Sequence, residues 1–194
     1  MPALMIVQMQ QDFVSPDGSA CVAGALPSVS VIATALHHAR RQGWLVIHVH
    51  RQPPERPTQP KPQSHRPTAC IETSWGASPV PELQPKADEM VIHKPRGSAF
   101  ERTELASHLS DHPNKELVIC GTPLPTCLRS TVIDALQRNH PVTLLSDGCS
   151  ARSDALIDAN LQEMAQRGVR CISVNDWLEW LGHDARAEQG KSVH

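Results

Sequence analysis

Apolar and polar positions along the chain follow two alternating patterns. Six short runs are almost wholly apolar and rich in branched side chains: residues 3–7, 45–49, 90–93, 117–120, 142–145 and 169–174. Runs of that length and content predict buried strands. Between most of them the apolar positions recur at helical spacing. Residues 26–42 place Val29, Ile32, Ala33, Leu36 and Ala39 on one stripe, with Pro27 in the first turn and Gly43 as the stop. Residues 103–109 predict a shorter helix. Residues 126–139 carry Leu128, Val132, Ala135 and Leu136 on one face. Residues 154–167 carry Ile157, Leu161, Met164 and Ala165 and end at Gly168.

Strands alternating with helices predict an α/β fold with a mostly parallel sheet covered on both faces. Right-handed crossovers reduce this to a Rossmann-like three-layer sandwich with a six-stranded sheet. No GxGxxG follows the first run, which excludes a dinucleotide-binding version. Residues 52–67 contain six prolines and predict an extended loop over the strand ends. Beyond Leu181 the chain is polar and without periodicity. One domain is therefore expected over residues 1–182, with a flexible tail over 183–194.

Composition narrows the partners. With 194 residues the chain can bury a core of its own, and its formal charge of −2 gives no attraction for nucleic acid or an anionic membrane. Aromatic residues make up 3% and tyrosine is absent, so no base-stacking surface is expected. No apolar stretch approaches the roughly 18 residues of a membrane span, and Met-Pro-Ala opens the chain without a basic leader. The six cysteines, at 21, 70, 120, 127, 149 and 171, form no CxxC pair. A reducing, cytoplasmic setting is expected.

Candidate chemistry gathers where the apolar runs end. The first run stops at Gln8-Met9-Gln10-Gln11-Asp12-Phe13, and ligands of open α/β sheets bind at that carboxyl edge. An amide stands first there, and the carboxylate waits until Asp12, on its own a turn or helix-capping residue that could serve as base only if the chain shifted. The stretch 117–136 reads strand, Gly/Pro turn, helix, with Cys127 in the first helical turn. A thiol so placed faces unpaired N–H groups that favour thiolate; the alternative is a small buried residue. Lys94 ends the third run. Taken alone it is an exposed strand-end lysine, but beside a thiol its cation makes a nucleophile.

The stretches IETSWGASPVPEL, HKPRGSAFERTEL, the Gly-to-Cys turn before a helix, and SDGCSARS resemble the isochorismatase-like cysteine hydrolases, in that family's order. The superfamily includes isochorismatases, nicotinamidases and N-carbamoylsarcosine amidases, and the likeness runs from about Ala3 to Leu181. It implies a six-stranded parallel sheet, a small-molecule substrate, and assembly as a homodimer or homotetramer. It also implies an Asp–Lys–Cys triad, in which Lys94 matches the lysine and Cys127 the nucleophile. The triad aspartate falls on Gln8. A carboxylate can take the thiol proton and later activate water, whereas an amide does neither. Gln8 can still hydrogen-bond Lys94 through its carbonyl.

The turn before the nucleophile departs as well. The family's turn is similar to Gly121-Thr122-Pro123-Leu124-Pro125-Thr126-Cys127, with a cis peptide that here would fall at Thr122–Pro123. In the family the N–H at the position of Pro123 helps to form the oxyanion hole, and proline has none. The resemblance further places Phe13, Trp75, Gly97, Thr122 and Pro123 around the substrate pocket. Gly97 stands where relatives carry a bulkier side chain, and Trp75 reads equally as lid or as packing. Some relatives bind a metal through Asp-x-His after the second strand. This chain has His48 and His50 there, and His65 in the proline loop, but no aspartate. No metal and no cofactor are expected. Two functions remain open at this stage: a cysteine hydrolase with impaired or atypical activity, and an inactive relative serving as a binder or scaffold. A redox thiol ranks last, for want of a nearby partner cysteine.

Overall fold

The computed structural model describes residues 1–53, 69–112 and 115–191, with side chains as far as 183. Six strands form a single parallel sheet: β1 (Ala3–Val7), β2 (Leu45–Arg51), β3 (Met90–Lys94), β4 (Leu117–Gly121), β5 (Val142–Cys149) and β6 (Arg170–Ile172). Their order across the sheet is β3-β2-β1-β4-β5-β6. The chain therefore winds outward in one direction from β1 and in the other from β4. The crevice between their carboxyl ends is a topological switch point, where ligands of such sheets bind.

Period-two alternation sorts each strand between two apolar layers. Leu4, Ile6 and Val46 join Ile32 and Leu36 of α2 (Ala25–Arg41) and Trp177 of α6 (Val174–Lys191). Ala3, Met5, Val7, Ile47 and Val49 join the opposite layer with Leu105, Val132 and Met164. Those three come from α3 (Leu105–Ser110), α4 (Arg129–Gln137) and α5 (Asp154–Gln166). Helices thus cover both faces, as the alternation of patterns predicts.

The departures from the sequence pattern have local causes. The apolar run over 169–174 is strand only at Arg170–Ile172, because Ser173 starts a helix there. Its hydroxyl donates to Asp176 at 2.6 Å and accepts the Asp176 N–H at 3.2 Å. Helix α6 then continues to Lys191, so regular backbone extends past Leu181, where periodicity ends. The helix expected from residue 126 opens instead as a π-helical turn, Leu124–Leu128, before α4 proper. A short helix α1 (Gln11–Val14), which no periodicity announced, follows β1. Of the proline-rich segment only Gln52 and Pro53 are described; the rest lies outside the described residues.

Candidate active site

Three strands deliver their last residues to the switch point. Gln8 leaves β1 with φ 54°, a left-handed conformation uncommon for a side-chain-bearing residue, and its N–H donates to Val49 O at 2.7 Å. Its side chain is fully buried. Neither the amide nitrogen nor the amide oxygen has a partner among the described residues. A buried amide left unpaired costs about 1–3 kcal/mol, so its presence at this edge needs a reason.

Lys94 ends β3 and is fully buried. Its ammonium donates to Arg96 O at 2.7 Å and to Gly97 O at 2.8 Å. Burial pulls the ammonium below the ordinary lysine range, while the neighbouring Cys127 sulfur opposes that shift by favouring the charged form. Lys94 thus lies close to the Cys127 sulfur.

Cys127 is buried, with 9% of its surface exposed. It stands in the π-helical turn closed by Leu128 N–H on Pro123 O at 3.3 Å, among the first N–H groups of the helix. The turn is held from below. Gly121 has φ 124° and presses so closely on Val7 O that a Cβ would collide with it. Thr122 is buried; its N–H donates to Val7 O at 3.0 Å and its hydroxyl accepts Ser150 Oγ at 2.7 Å. Leu124 N–H reaches Ser150 O at 2.8 Å. The Thr122–Pro123 peptide is cis. These bonds join β1, β4 and the end of β5 under the thiol.

The other expected pocket residues divide. A Cβ at Gly97 would come within 3.3 Å of Ser130 Oγ, so this loop passes directly over the start of α4. Trp75 is 55% exposed, which removes core packing as its role. Phe13 is packed in the α2-side layer with Leu4 and Ile6, whereas Cys127 belongs to the opposite layer. Asp12 ties loops together: its carboxylate accepts Ser19 N–H at 2.9 Å and Cys70 N–H at 2.7 Å. Burial would raise its pKa, but those two N–H groups outweigh it and hold the carboxyl below its usual range. Position 76 must be glycine, since a Cβ would strike this carboxylate. The N-cap of α1 is Gln10, so Asp12 does not cap it.

Two residues at this edge were missed in the sequence. Gln10 clamps β2 by accepting Arg51 N–H at 2.7 Å and donating to Arg51 O at 3.1 Å and Ala77 O at 2.8 Å. Arg51 itself is the register partner of Lys94, and its buried Nε has no partner among the described residues. The rule that singled out Lys94, a cation closing an apolar run, would have found Arg51 too.

The histidines lie elsewhere. His48 is buried against Glu89 at 2.9 Å. Burial, with His48 and His93 nearby, pushes His50 down to about 4. Among the described residues no group of three or more His, Cys, Asp or Glu is placed to hold a metal ion. His65 lies outside the described residues. A cleft of about 320 Å³ opens at the amino ends of the strands, lined by Glu116, Pro141, Thr143, Gly168 and Arg170, far from the thiol and without a nucleophile.

An isochorismatase domain model matches residues 2–176. A protein from Arabidopsis thaliana described as a probable inactive nicotinamidase is 31% identical, covering 92% of this chain and 95% of its own length. The nicotinamidase of Escherichia coli K12 is 30% identical over 93% of this chain and 98% of that enzyme. The crystal structure of an isochorismatase family protein from Desulfovibrio vulgaris superposes with a TM-score of 0.85 at 34% identity, covering 93% of this chain and 97% of that one.

Proposed function

The chain belongs to the isochorismatase family, and from that premise we propose that it is a small-molecule cysteine hydrolase whose proton-transfer step is crippled. The observation that carries this reading is the neutral, buried Gln8 amide at the end of β1, which has no partner among the described residues. In this reading Cys127 Sγ attacks an amide or imide carbon and forms the C–S bond. The C–N bond then breaks as the leaving nitrogen takes a proton from water, and the hydroxide so formed releases the acid from the thioester and restores the sulfur. Lys94 sets a cation beside the sulfur. The missing part is the carboxylate that would take the thiol proton, pass it to the leaving nitrogen and later draw one from water. Its loss costs on the order of 10²–10⁴-fold. Pro123 offers no N–H to the oxyanion, so Cys127 N–H acts without that second donor, at a further cost of roughly 10²–10³-fold.

A second reading, a binder without turnover, is favoured by those two losses falling together. Substituting Gln8→Asp separates the readings. Wild type and variant are assayed against small amides, imides and vinyl ethers, alongside the pH dependence of Cys127 alkylation. The hydrolase reading expects slow Cys127-dependent turnover in wild type, rising by about 10²-fold or more in Gln8→Asp. A variant inert on every substrate class, with Cys127 alkylation indifferent to Lys94→Ala, sinks it. The same reading takes the protein as cytoplasmic and as a homodimer or homotetramer, the latter checked by sedimentation mass.

A further inference from the structure

Helix α4 carries a hydroxyl where its packing calls for an apolar side chain. Its buried positions are Thr131, Val132 and Ala135, and Thr131 is wholly shielded from solvent. A valine there would have nearly the same shape and no hydroxyl to desolvate, so the hydroxyl needs a reason. Its oxygen accepts Ala99 N–H at 2.9 Å, and its O–H donates to Cys127 O at 2.7 Å. Bonding the carbonyl four residues back is the ordinary habit of a helix threonine. Taking a backbone N–H from 32 positions away is not. We infer that Thr131 is a positioning residue: its one hydroxyl joins the backbone of the nucleophile, Cys127, to the segment that holds Lys94.

This role rests on the hydrolase reading, which makes Cys127 and Lys94 the working pair. Lys94 closes β3 and Cys127 follows β4, and those strands are not neighbours, since β2 and β1 lie between them. No strand register therefore sets one group against the other. The ammonium is fastened to Arg96 O and Gly97 O at 2.7 and 2.8 Å, so it moves with that stretch of chain. Two residues on, buried Ala99 is bonded through the Thr131 hydroxyl to the carbonyl of the cysteine. A single side chain thus closes the path from the ammonium to the nucleophile. A shift of about 1 Å between reacting groups can cost on the order of 10²-fold, so the bond has something to protect. Ser130 supplies the contrast. Its hydroxyl donates to Thr126 O at 2.8 Å and to Cys127 O at 3.2 Å, both within its own turn of helix. Ser130 steadies the turn, whereas Thr131 ties the turn to the lysine.

A double-mutant cycle with Lys94 tests this role. Cys127 displaces iodide from iodoacetamide, forming a C–S bond as the C–I bond breaks. Peptide mass spectrometry reads the rate at Cys127 against that at Cys21, an exposed thiol that serves as internal reference. Lys94→Ala should slow Cys127 by about tenfold at about pH 7, the effect of withdrawing one cation from a thiol. In Thr131→Val the same Lys94→Ala change should slow it by about twofold or less. In Thr131→Ser, which keeps the hydroxyl, the factor should return to about tenfold. A threonine that served packing alone would lower Tm in Thr131→Val and leave that factor unchanged. Should Thr131→Val not fold, Thr131→Ala, which lacks the hydroxyl and leaves slack, takes its place. An undiminished factor in the variant without the hydroxyl overturns the inference and leaves the hydrolase reading standing. Loss of the factor in Ser130→Ala to the same degree also overturns it, because the bond to the cysteine carbonyl would then act without the bridge. A factor lost in Thr131→Val and restored in Thr131→Ser, in a protein inert on every substrate class, upholds the positioning role and removes the hydrolase. Lys94→Ala without effect in the wild type overturns the inference, and turnover by Gln8→Asp then decides the hydrolase reading alone.

Discussion

Two clusters of buried polar side chains sit on neighbouring strands and are built on opposite principles. On the α2 side, Glu89 accepts Arg40 Nε at 2.6 Å, Arg40 Nη2 at 2.9 Å, Lys86 N–H at 2.9 Å and pairs with His48 Nε2 at 2.9 Å. Burial alone would raise the Glu89 pKa, but Arg40, the Lys86 N–H and His48 together hold it down to about 2. Each strong donor in that cluster meets an acceptor. At the carboxyl edge, Gln8, Arg51 and Lys94 present more donors than the described residues can accept. The first arrangement fastens α2 to the segment leading into β3. The second leaves polar groups unsatisfied at a cost in stability, a pattern that in proteins generally clusters at functional sites.

That contrast can be broken by mutation, and the largest effect is expected in the saturated cluster. Glu89→Ala leaves Arg40 and buried His48 without their acceptor and should cost about 3–5 kcal/mol in chemical denaturation. Acid titration comes next. His50 is held down to about 4, and His48 is also depressed, chiefly by burial, so both are neutral in the fold. The unfolded chain, with ordinary histidines near 6.5, binds more protons in between, so stability should fall as pH drops from about 6.5 to about 4. The loss from His50 is on the order of 3 kcal/mol, and His50→Gln should remove that part of the slope. Glu89 acts in a lower window: its stabilisation is complete above about 4.5 and is lost as pH falls toward 2.

Gln8→Leu should have the opposite sign. Replacing a buried amide that has no partner among the described residues by an apolar side chain of similar size should stabilise by about 1 kcal/mol, read as a higher Tm. If Gln8→Leu instead destabilises as Glu89→Ala does, the two clusters are alike and the distinction fails. The smallest effect is expected at exposed Trp75, where Trp75→Ala should change stability by no more than about 0.5 kcal/mol. A larger change would mean that this turn is packed against something.

Much of this architecture was legible in the chain. All six strands were found because buried parallel strands read as short unbroken apolar runs, and β1 has the same limits in both. Cys127 and Lys94 were legible because a thiol opening a helix and a cation closing a strand both break the local pattern. Arg51 is less legible, because it stands where an apolar run gives way to a proline-rich stretch. Helix α6 was not announced, since its start, Val174, continues an apolar run and its later turns carry charge at most positions. Asp12 read as a local turn residue, yet its partner Cys70 lies 58 positions away.

By itself, the sequence determined the class of fold and the order of its elements, because period-two and period-3.6 patterns depend only on neighbours in the chain. It also determined that an amide, not a carboxylate, ends β1 before the chain turns. Which polar groups are satisfied was decided by the tertiary structure alone. Hydrogen bonding of a buried group depends on partners brought from other strands and loops, and no local pattern encodes their distance. Only the register of β2 against β3 sets Arg51 beside Lys94, and only the fold leaves Gln8 between them and β4 without a partner among the described residues.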